Sequence, residues 1–143
     1  MTVAHILEEK GSNVYSVAPA ASVAEAAKLL TEAGIGALLV LEESGKVCGV
    51  LSERDIVQGL AEQGAAALDE PVESLMTREL FSTTPTSTIP SVMELMTSRR
   101  VRHLPVMEDG KLKGVISIGD VVKHRIAEAQ QEAEALKSYI QGG

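Results

Sequence analysis

Residues 49–55 read Gly-Val-Leu-Ser-Glu-Arg-Asp, and residues 114–120 read Gly-Val-Ile-Ser-Ile-Gly-Asp. Both stretches place a glycine before two aliphatic residues, then a serine, and an aspartate three residues after that serine. This pattern predicts a strand that ends at the N-cap of a helix. Because the same junction occurs twice, the chain is predicted to contain two copies of one structural unit.

The similarity extends well beyond these two junctions. Residues 16–23 align with residues 82–89 at an offset of 66. Residues 45–55 align with residues 110–120 at an offset of 65, because the first copy has one extra residue after Glu42. Pattern, spacing and turn residues match together, which indicates a true internal repeat.

Each copy is predicted to follow the order β-α-β-β-α. Short strands at 14–17 and 80–83 end at prolines, and Ser22 and Thr88 are the predicted N-caps of the helices that follow. An acidic-polar-glycine turn then joins two strands in each copy, which is typical of a hairpin. Since one unit alone leaves a sheet face half covered, the predicted fold class is α/β (α+β), with two sheets packed face to face.

One integrated module is predicted, made of three segments. Residues 1–64 form the first repeat with its lead-in, residues 65–125 form a linker and the second repeat, and residues 126–143 extend the last helix. That terminal helix has one apolar stripe with spacings of four and three residues, which needs a partner surface. The stripe consists of Val122, Ile126, Ala129, Ala133, Leu136 and Ile140.

Composition argues against several classes of protein. A net charge of −7 disfavours nucleic acid or an anionic membrane as the main partner, and 2% aromatic residues disfavour base-stacking platforms. A single cysteine excludes an internal disulfide and a cysteine-based zinc site, and no metal ligands are predicted. No apolar run approaches the roughly 18 residues that a membrane span requires, and no signal peptide is evident. We expect a cytoplasmic protein.

The repeated Gly-x-x-Ser-x-x-Asp segments are the main candidate sites. The glycine lets another backbone segment or a flat ligand approach closely. The serine hydroxyl and the first helical N–H groups favour an anion, and the aspartate can accept hydrogen bonds from vicinal hydroxyls such as a ribose diol. The alternative is that serine and aspartate only cap the helix. Taken once, the segment favours the capping role; its repetition at equivalent places favours a ligand site.

The chain resembles a tandem pair of cystathionine-β-synthase (CBS) domains of the stand-alone bacterial type. The resemblance lies in Ser82-x-x-Pro85, in Arg102-His-Leu-Pro105-Val106 and in the two Gly-x-x-Ser-x-x-Asp segments. It implies two repeats packed through their sheets with pseudo-two-fold symmetry. It also implies two clefts that bind AMP, ADP, ATP or NAD(H) as regulatory signals. A homodimer and a regulated protein in trans are further implied.

The same resemblance implies roles for individual residues. Asp55 and Asp120 are expected to bind ribose hydroxyls, with Ser52 and Ser117 near the phosphate. The base is expected to contact backbone of the opposite repeat. The residues implied in holding it are Ile35 and Gly36 for the Asp120 site, Val101 and Arg102 for the Asp55 site, and Ser12 and Thr77 just before each repeat.

Positive charge is unequal between the copies. Residues 99–125 contain seven Lys or Arg against three Asp or Glu, and Arg102 and His103 stand where the first copy has Gly36 and Ala37. Arg99 and Arg100 are further phosphate candidates, although cations at a helix C-terminus also offset its dipole. We expect the cleft at Asp120, beside Arg102 and His103, to bind a phosphate-bearing ligand more tightly.

The predicted function is regulatory nucleotide binding without catalysis. A dimerising scaffold whose ligand clefts are vestigial is the alternative, favoured by the missing charge in the first copy. Asp55 and Asp120 could be imagined as a hydrolytic carboxylate pair. Repeat symmetry, however, places them in separate clefts, and no nucleophile motif accompanies either one. No catalytic residue is predicted.

Overall fold

The computed structural model describes residues 1–11 and 14–142. In the described residues, the first copy has the predicted order β-α-β-β-α, whereas the second copy lacks its first strand and has the order α-β-β-α. The helices are α1 (Val3–Lys10), α2 (Val23–Ala33), α3 (Glu53–Gln63), α4 (Val72–Leu75), α5 (Ile89–Arg99) and α6 (Ile118–Gly142), with a 3-10 helix at Gly64–Asp69. The strands are β1 (Ser16–Val17), β2 (Ala37–Leu41), β3 (Val47–Ser52), β4 (His103–Glu108) and β5 (Lys111–Ser117).

The chain is divided into two compact units. One contains residues 14–80, and the other combines the described residues of 1–13 with those of 81–143. We call the segment before each copy its lead-in: residues 1–11 before the first copy and residues 65–80 before the second. Each lead-in belongs to the unit of the other copy, and not to the unit of the copy that follows it in sequence. The predicted segments 1–64 and 65–125 were drawn from the sequence repeat, whereas the two units are defined by which residues pack together. For example, Val3 and Ile6 of α1 are fully buried in the core that contains α5 and β5.

The unit of residues 14–80 has a three-stranded sheet in the order β1-β2-β3. β1 pairs with β2 in parallel, and β2 pairs with β3 as the predicted antiparallel hairpin. Ser22 caps α2 as predicted, because its side chain accepts a hydrogen bond from the Glu25 N–H at 3.1 Å. One face of α2 is buried against the sheet, at Val23, Ala26 and Leu30.

The other unit repeats this arrangement with one difference. β4 and β5 form the predicted hairpin, and Thr88 caps α5 by accepting from the Ser91 N–H at 3.3 Å. The predicted strand at 80–83 is wrong in extent, because only Thr83 forms a bridge, with Val106. Thr83 nevertheless makes two backbone hydrogen bonds, to Pro105 and Met107, so the chain still passes along the hairpin edge.

The predicted long terminal helix is confirmed. α6 runs unbroken from the second Ser-x-x-Asp segment to residue 142, so the last helix of the repeat and its predicted extension are one element. Its first turns are anchored by the buried residues Val121 and His124. Further along, Ile126, Leu136 and Ile140 are more than half exposed, which leaves much of the predicted apolar stripe uncovered in this chain.

Candidate functional site

The first candidate site is the junction of β3 and α3, here called the Asp55 corner (Ser52 and Asp55). The Ser52 hydroxyl oxygen accepts from the Asp55 N–H at 3.2 Å. In return, Asp55 Oδ2 accepts from the Ser52 N–H at 2.9 Å and from the Ser52 hydroxyl at 3.1 Å. This reciprocal capping box fixes the carboxylate at the start of the helix.

The second candidate site is the junction of β5 and α6, here called the Asp120 corner (Ser117 and Asp120). Its geometry nearly duplicates that of the Asp55 corner. Asp120 Oδ2 accepts from the Ser117 N–H at 2.9 Å and from its hydroxyl at 3.0 Å, and the Ser117 hydroxyl oxygen accepts from the Asp120 N–H at 3.2 Å. The capping role weighed for these residues is therefore real in both copies, and the same bonds orient the two carboxylates.

The first strand of each hairpin begins beside the corner of its own copy. The Gly36 carbonyl accepts from the Glu53 N–H at 3.0 Å, and the Arg102 carbonyl accepts from the Ile118 N–H at 2.8 Å. His103 lies opposite Ser117 in the β4–β5 ladder. The structure thus brings the backbone of Arg102 and of His103 next to Ser117, within one unit.

Thr77, a predicted adenine contact that the sequence assigned to neither aspartate, lies at the Asp55 corner. Its hydroxyl donates to Asp55 Oδ1 at 3.2 Å and approaches Oδ2 at 3.4 Å. Its backbone is held by a two-way bridge with Val50, at 2.8 and 3.0 Å. The carboxylate of the Asp55 corner is therefore contacted by a neutral hydroxyl. Ser12, its predicted counterpart before the first copy, lies outside the described residues.

Lys10 at the Asp120 corner was not predicted. Its ammonium lies 2.6 Å from Asp120 Oδ2 and donates to the Val115 carbonyl at 3.0 Å. Partial burial raises the pKa of Asp120, but the bonds and charge from Lys10 and the bonds from Ser117 outweigh it and hold that pKa below its usual range. The only signal in the sequence was the position of Lys10 in a lead-in, close to Ser12.

The glycine that opens each motif leaves room for the lead-in. A Cβ at Gly49 would lie 2.5 Å from Met76 Sδ, and a Cβ at Gly114 would lie 2.7 Å from Leu7 Cδ2. The sequence left open whether another chain segment or a flat ligand approaches these glycines. The structure shows a chain segment in both copies.

The remaining predicted residues lie at the C-terminal ends of α2 and α5. The Ile35 and Val101 N–H groups donate to helix carbonyls at 3.1 Å, and Arg100 caps α5 in the left-handed conformation at φ 55°. The Arg99 guanidinium lies 5.0 Å from the centre of the Phe81 ring, a cation–π contact. The Arg102 side chain is exposed. Within the described part of the chain, neither aspartate forms an ion pair with Arg99, Arg100 or Arg102.

Comparison with known proteins identifies the architecture. A family model described as CBS domain matches residues 3–62 and again residues 72–127. The chain belongs to the CBS domain family. The resemblance inferred from the repeated Ser-x-x-Asp segments is thereby confirmed, as is a mixed α/β fold built from two CBS repeats with a long terminal helix.

Relatives of this CBS pair occur in plants and bacteria. The CBS domain-containing protein CBSX3, mitochondrial, of Arabidopsis thaliana is 37% identical over 126 residues, covering 85% of this chain and 61% of that protein. The CBS-domain containing protein ATU1752 of Agrobacterium tumefaciens is 45% identical with a TM-score of 0.85, covering 87% of this chain and 92% of that one. The chain thus spans less than two thirds of the plant relative.

A more distant structure shares the fold. The CBS domain pair of protein MJ0100, solved in complex with 5'-methylthioadenosine and S-adenosyl-L-methionine, is 23% identical with a TM-score of 0.79. It covers 90% of this chain and 98% of that one. Within the part of this chain that the structure describes, no helix has the length and apolar character needed to cross a membrane. Nor do three potential metal ligands lie grouped among those same residues.

Proposed function

We propose that this CBS pair is a regulatory module that binds an adenosine-containing ligand at the Asp55 and Asp120 corners. The proposed ligands are AMP, ADP, ATP or NAD(H). The observation that carries the proposal is the duplicated carboxylate, which a serine holds in the same geometry at the start of α3 and of α6. A carboxylate fixed in this way is an acceptor for two adjacent hydroxyl groups.

The ribose diol is the part of the ligand that these carboxylates fit. Asp55 Oδ2 already accepts from Ser52, whereas Oδ1 accepts from the Thr77 hydroxyl, which a sugar hydroxyl could replace. The MJ0100 pair supports a ligand of this chemical class, because 5'-methylthioadenosine and S-adenosyl-L-methionine both contain adenosine. Adenine, ribose and a variable 5' substituent are therefore the proposed common features.

The base and phosphate contacts belong to the same proposal. The backbone at 35–36 and at 101–102, together with Thr77 and Ser12, is proposed to hold adenine. Ser52, Ser117, Arg102 and His103 are proposed near the 5' substituent, with Arg99 and Arg100 as weaker candidates. The cation–π contact of Arg99 with Phe81 favours a structural role for that residue.

We propose regulation rather than catalysis as the outcome of binding. Both aspartates serve as hydrogen-bond acceptors in capping boxes, which suits recognition of hydroxyl groups. The proposed readout is a homodimer that acts on a partner protein in trans, in the cytoplasm. The exposed apolar residues of α6 support self-association, since Leu136, Tyr139 and Ile140 are 61%, 78% and 70% exposed.

The same exposed helix favours the second candidate function, a dimerising scaffold that binds no ligand. The two functions differ in one measurable property. A ligand present at a hundred times its dissociation constant stabilises the folded state by about 2.7 kcal/mol. For a chain of this size, that corresponds to a rise of about 8 °C in melting temperature. A scaffold would show no such rise.

The test is thermal denaturation with AMP, ATP, NAD and S-adenosyl-L-methionine, each in excess. We expect at least one of them to raise the melting temperature of the wild-type protein. Asp55→Asn and Asp120→Asn should reduce the rise, whereas the control Asp69→Asn, at an exposed aspartate outside both corners, should retain it. No rise with any of the four compounds would contradict the proposal and leave the scaffold function.

A further inference from the structure

The two corners differ in the charge of the side chain that contacts the aspartate. At the Asp120 corner the contact is the Lys10 ammonium, 2.6 Å from Oδ2. At the Asp55 corner it is the uncharged hydroxyl of Thr77, at 3.2 Å from Oδ1. The capping geometry is otherwise nearly the same, so this contact gives the two carboxylates different partners.

A ligand without a phosphate, such as adenosine, would displace a different contact at each corner. At Asp55, a ribose hydroxyl can exchange with the threonine hydroxyl, one neutral donor for another. At Asp120, Lys10 and Ser117 both donate to Oδ2, so a diol that uses both carboxylate oxygens must displace Lys10 and leave an ammonium without its anion, close to the Val115 carbonyl. Breaking a partly buried ion pair without replacing the partner is unfavourable.

A phosphate on the ligand changes this balance at the Asp120 corner. Lys10 is the last residue of α1 and its side chain is 37% exposed, so the ammonium can turn from the carboxylate toward an incoming anion. A phosphate then provides a charge-assisted hydrogen bond in place of the one lost. The carboxylate becomes available to the ribose without leaving the lysine unpaired.

We propose that Lys10 makes the Asp120 corner selective for phosphorylated adenosine ligands, whereas the Asp55 corner accepts adenosine with or without phosphate. This inference rests on the proposed function, since it names the ligand class of each corner. It adds Lys10, which contacts the Asp120 carboxylate directly, to Arg102 and His103 as a source of selectivity at that corner. Both corners then bind phosphorylated ligands, and only the Asp55 corner also binds adenosine.

The test follows binding at each corner separately by NMR. In the ¹⁵N-labelled full chain, the Ser52 and Ser117 amides are natural reporters, because each donates to the aspartate of its own corner. Adenosine and AMP are titrated into the wild-type protein and into Lys10→Met, which keeps the side-chain length without the charge. Lys123→Met is the matched control, since Lys123 pairs with Glu9 at 3.4 Å and not with Asp120.

The expected result is a preference for AMP over adenosine at the Ser117 signal of the wild-type protein. This preference should fall about tenfold or more in Lys10→Met, because a charged hydrogen bond to phosphate is lost. In Lys10→Met, the ratio of AMP affinity to adenosine affinity at Ser52 should stay unchanged. In Lys123→Met, this ratio should stay unchanged at both Ser52 and Ser117. Lys10→Gln, which retains a polar end group, should give the same direction of change and guards against a folding defect in the methionine variant.

Two results would overturn the inference, and they are distinguishable from failure of the proposed function. An unchanged AMP preference at Ser117 in folded Lys10→Met would assign selectivity to other residues, Arg102 and His103 first. Equal binding of adenosine and AMP at wild-type Ser117 would show that no selectivity exists. If neither compound shifts either signal, the corners do not bind adenosine or AMP, and both this inference and AMP as the ligand of the proposed function are wrong.

Discussion

Replacing either motif glycine with alanine tests how closely each lead-in packs. At Gly49, an added Cβ would lie 2.5 Å from Met76 Sδ, 2.9 Å from Met76 Cγ and 3.0 Å from the Thr77 carbonyl oxygen. At Gly114, the close contact is Leu7 Cδ2 at 2.7 Å, and the next Leu7 atom is 3.6 Å away. The first glycine therefore faces backbone and a buried side chain, and the second faces the end of a flexible one.

The free energies follow from what must move. Overpacking a well-packed core costs about 1–3 kcal/mol. At Gly49 the Thr77 backbone cannot shift without straining its two hydrogen bonds to Val50, each worth about 1 kcal/mol. We therefore expect Gly49→Ala to lower the free energy of unfolding by about 2–3 kcal/mol. Gly114→Ala should cost about 1 kcal/mol, since a rotation of Leu7 can relieve the contact.

Urea denaturation followed by circular dichroism measures both values, and thermal melting should show losses of roughly 6–9 °C and 3 °C. Gly119→Ala is the control, because its Cβ would meet only Ser117 Oγ, at 3.6 Å. Alanine at that position, in the first turn of α6, should therefore not lower the free energy of unfolding. A Gly49→Ala protein as stable as wild type, or less affected than Gly114→Ala, would refute the packing of the lead-ins described above.

Three further predictions concern α5, the Asp120 corner and α6. Arg100 caps α5 in the left-handed conformation, whereas glycine occupies the equivalent position 34, so Arg100→Gly should raise the free energy of unfolding by up to about 1 kcal/mol in urea denaturation. Burial raises the pKa of Asp120, but Lys10 and Ser117 lower it by more, so the pKa lies below its ordinary value of 3.8. The stability that wild type gains over Asp120→Asn should therefore be complete above that value and disappear as pH falls through the lowered pKa, in denaturation series from pH 7 to pH 2. Leu136→Glu should shift any oligomer toward monomer in analytical ultracentrifugation without lowering stability at high dilution, because the side chain is 61% exposed; unchanged sedimentation would remove α6 from the interface.

Local chemistry explains why so much of the fold could be predicted. Ser22 and Thr88 cap the helices that follow them, and the acidic-polar-glycine turns form both hairpins, because these signals act over three or four residues. Each signal also occurs twice, so one copy supports the interpretation of the other. The Ser-x-x-Asp geometry was predictable for the same reason.

Contacts between distant parts of the sequence were not predictable in the same way. Lys10 meets Asp120 across 110 positions, and no periodicity connects a lead-in to the unit on which it packs. The glycine in each motif indicated a close approach but not the approaching residue, which is Met76 in one copy and Leu7 in the other. The strand predicted at 80–83 is reduced to a single bridge at Thr83, since strand pairing depends on the tertiary partner more than on local sequence.

Calorimetric titration of AMP into the wild-type protein and into the double variant Asp55→Asn/Asp120→Asn tests most directly whether the two corners bind ribose. Asparagine keeps the shape of the cap and removes the charge, and circular dichroism checks that the variant is folded. Hydrogen bonds to a charged group contribute about 1.5–3 kcal/mol, so the account predicts that the double variant binds AMP about tenfold to a hundredfold more weakly. A folded double variant that binds AMP with wild-type affinity and stoichiometry would contradict it.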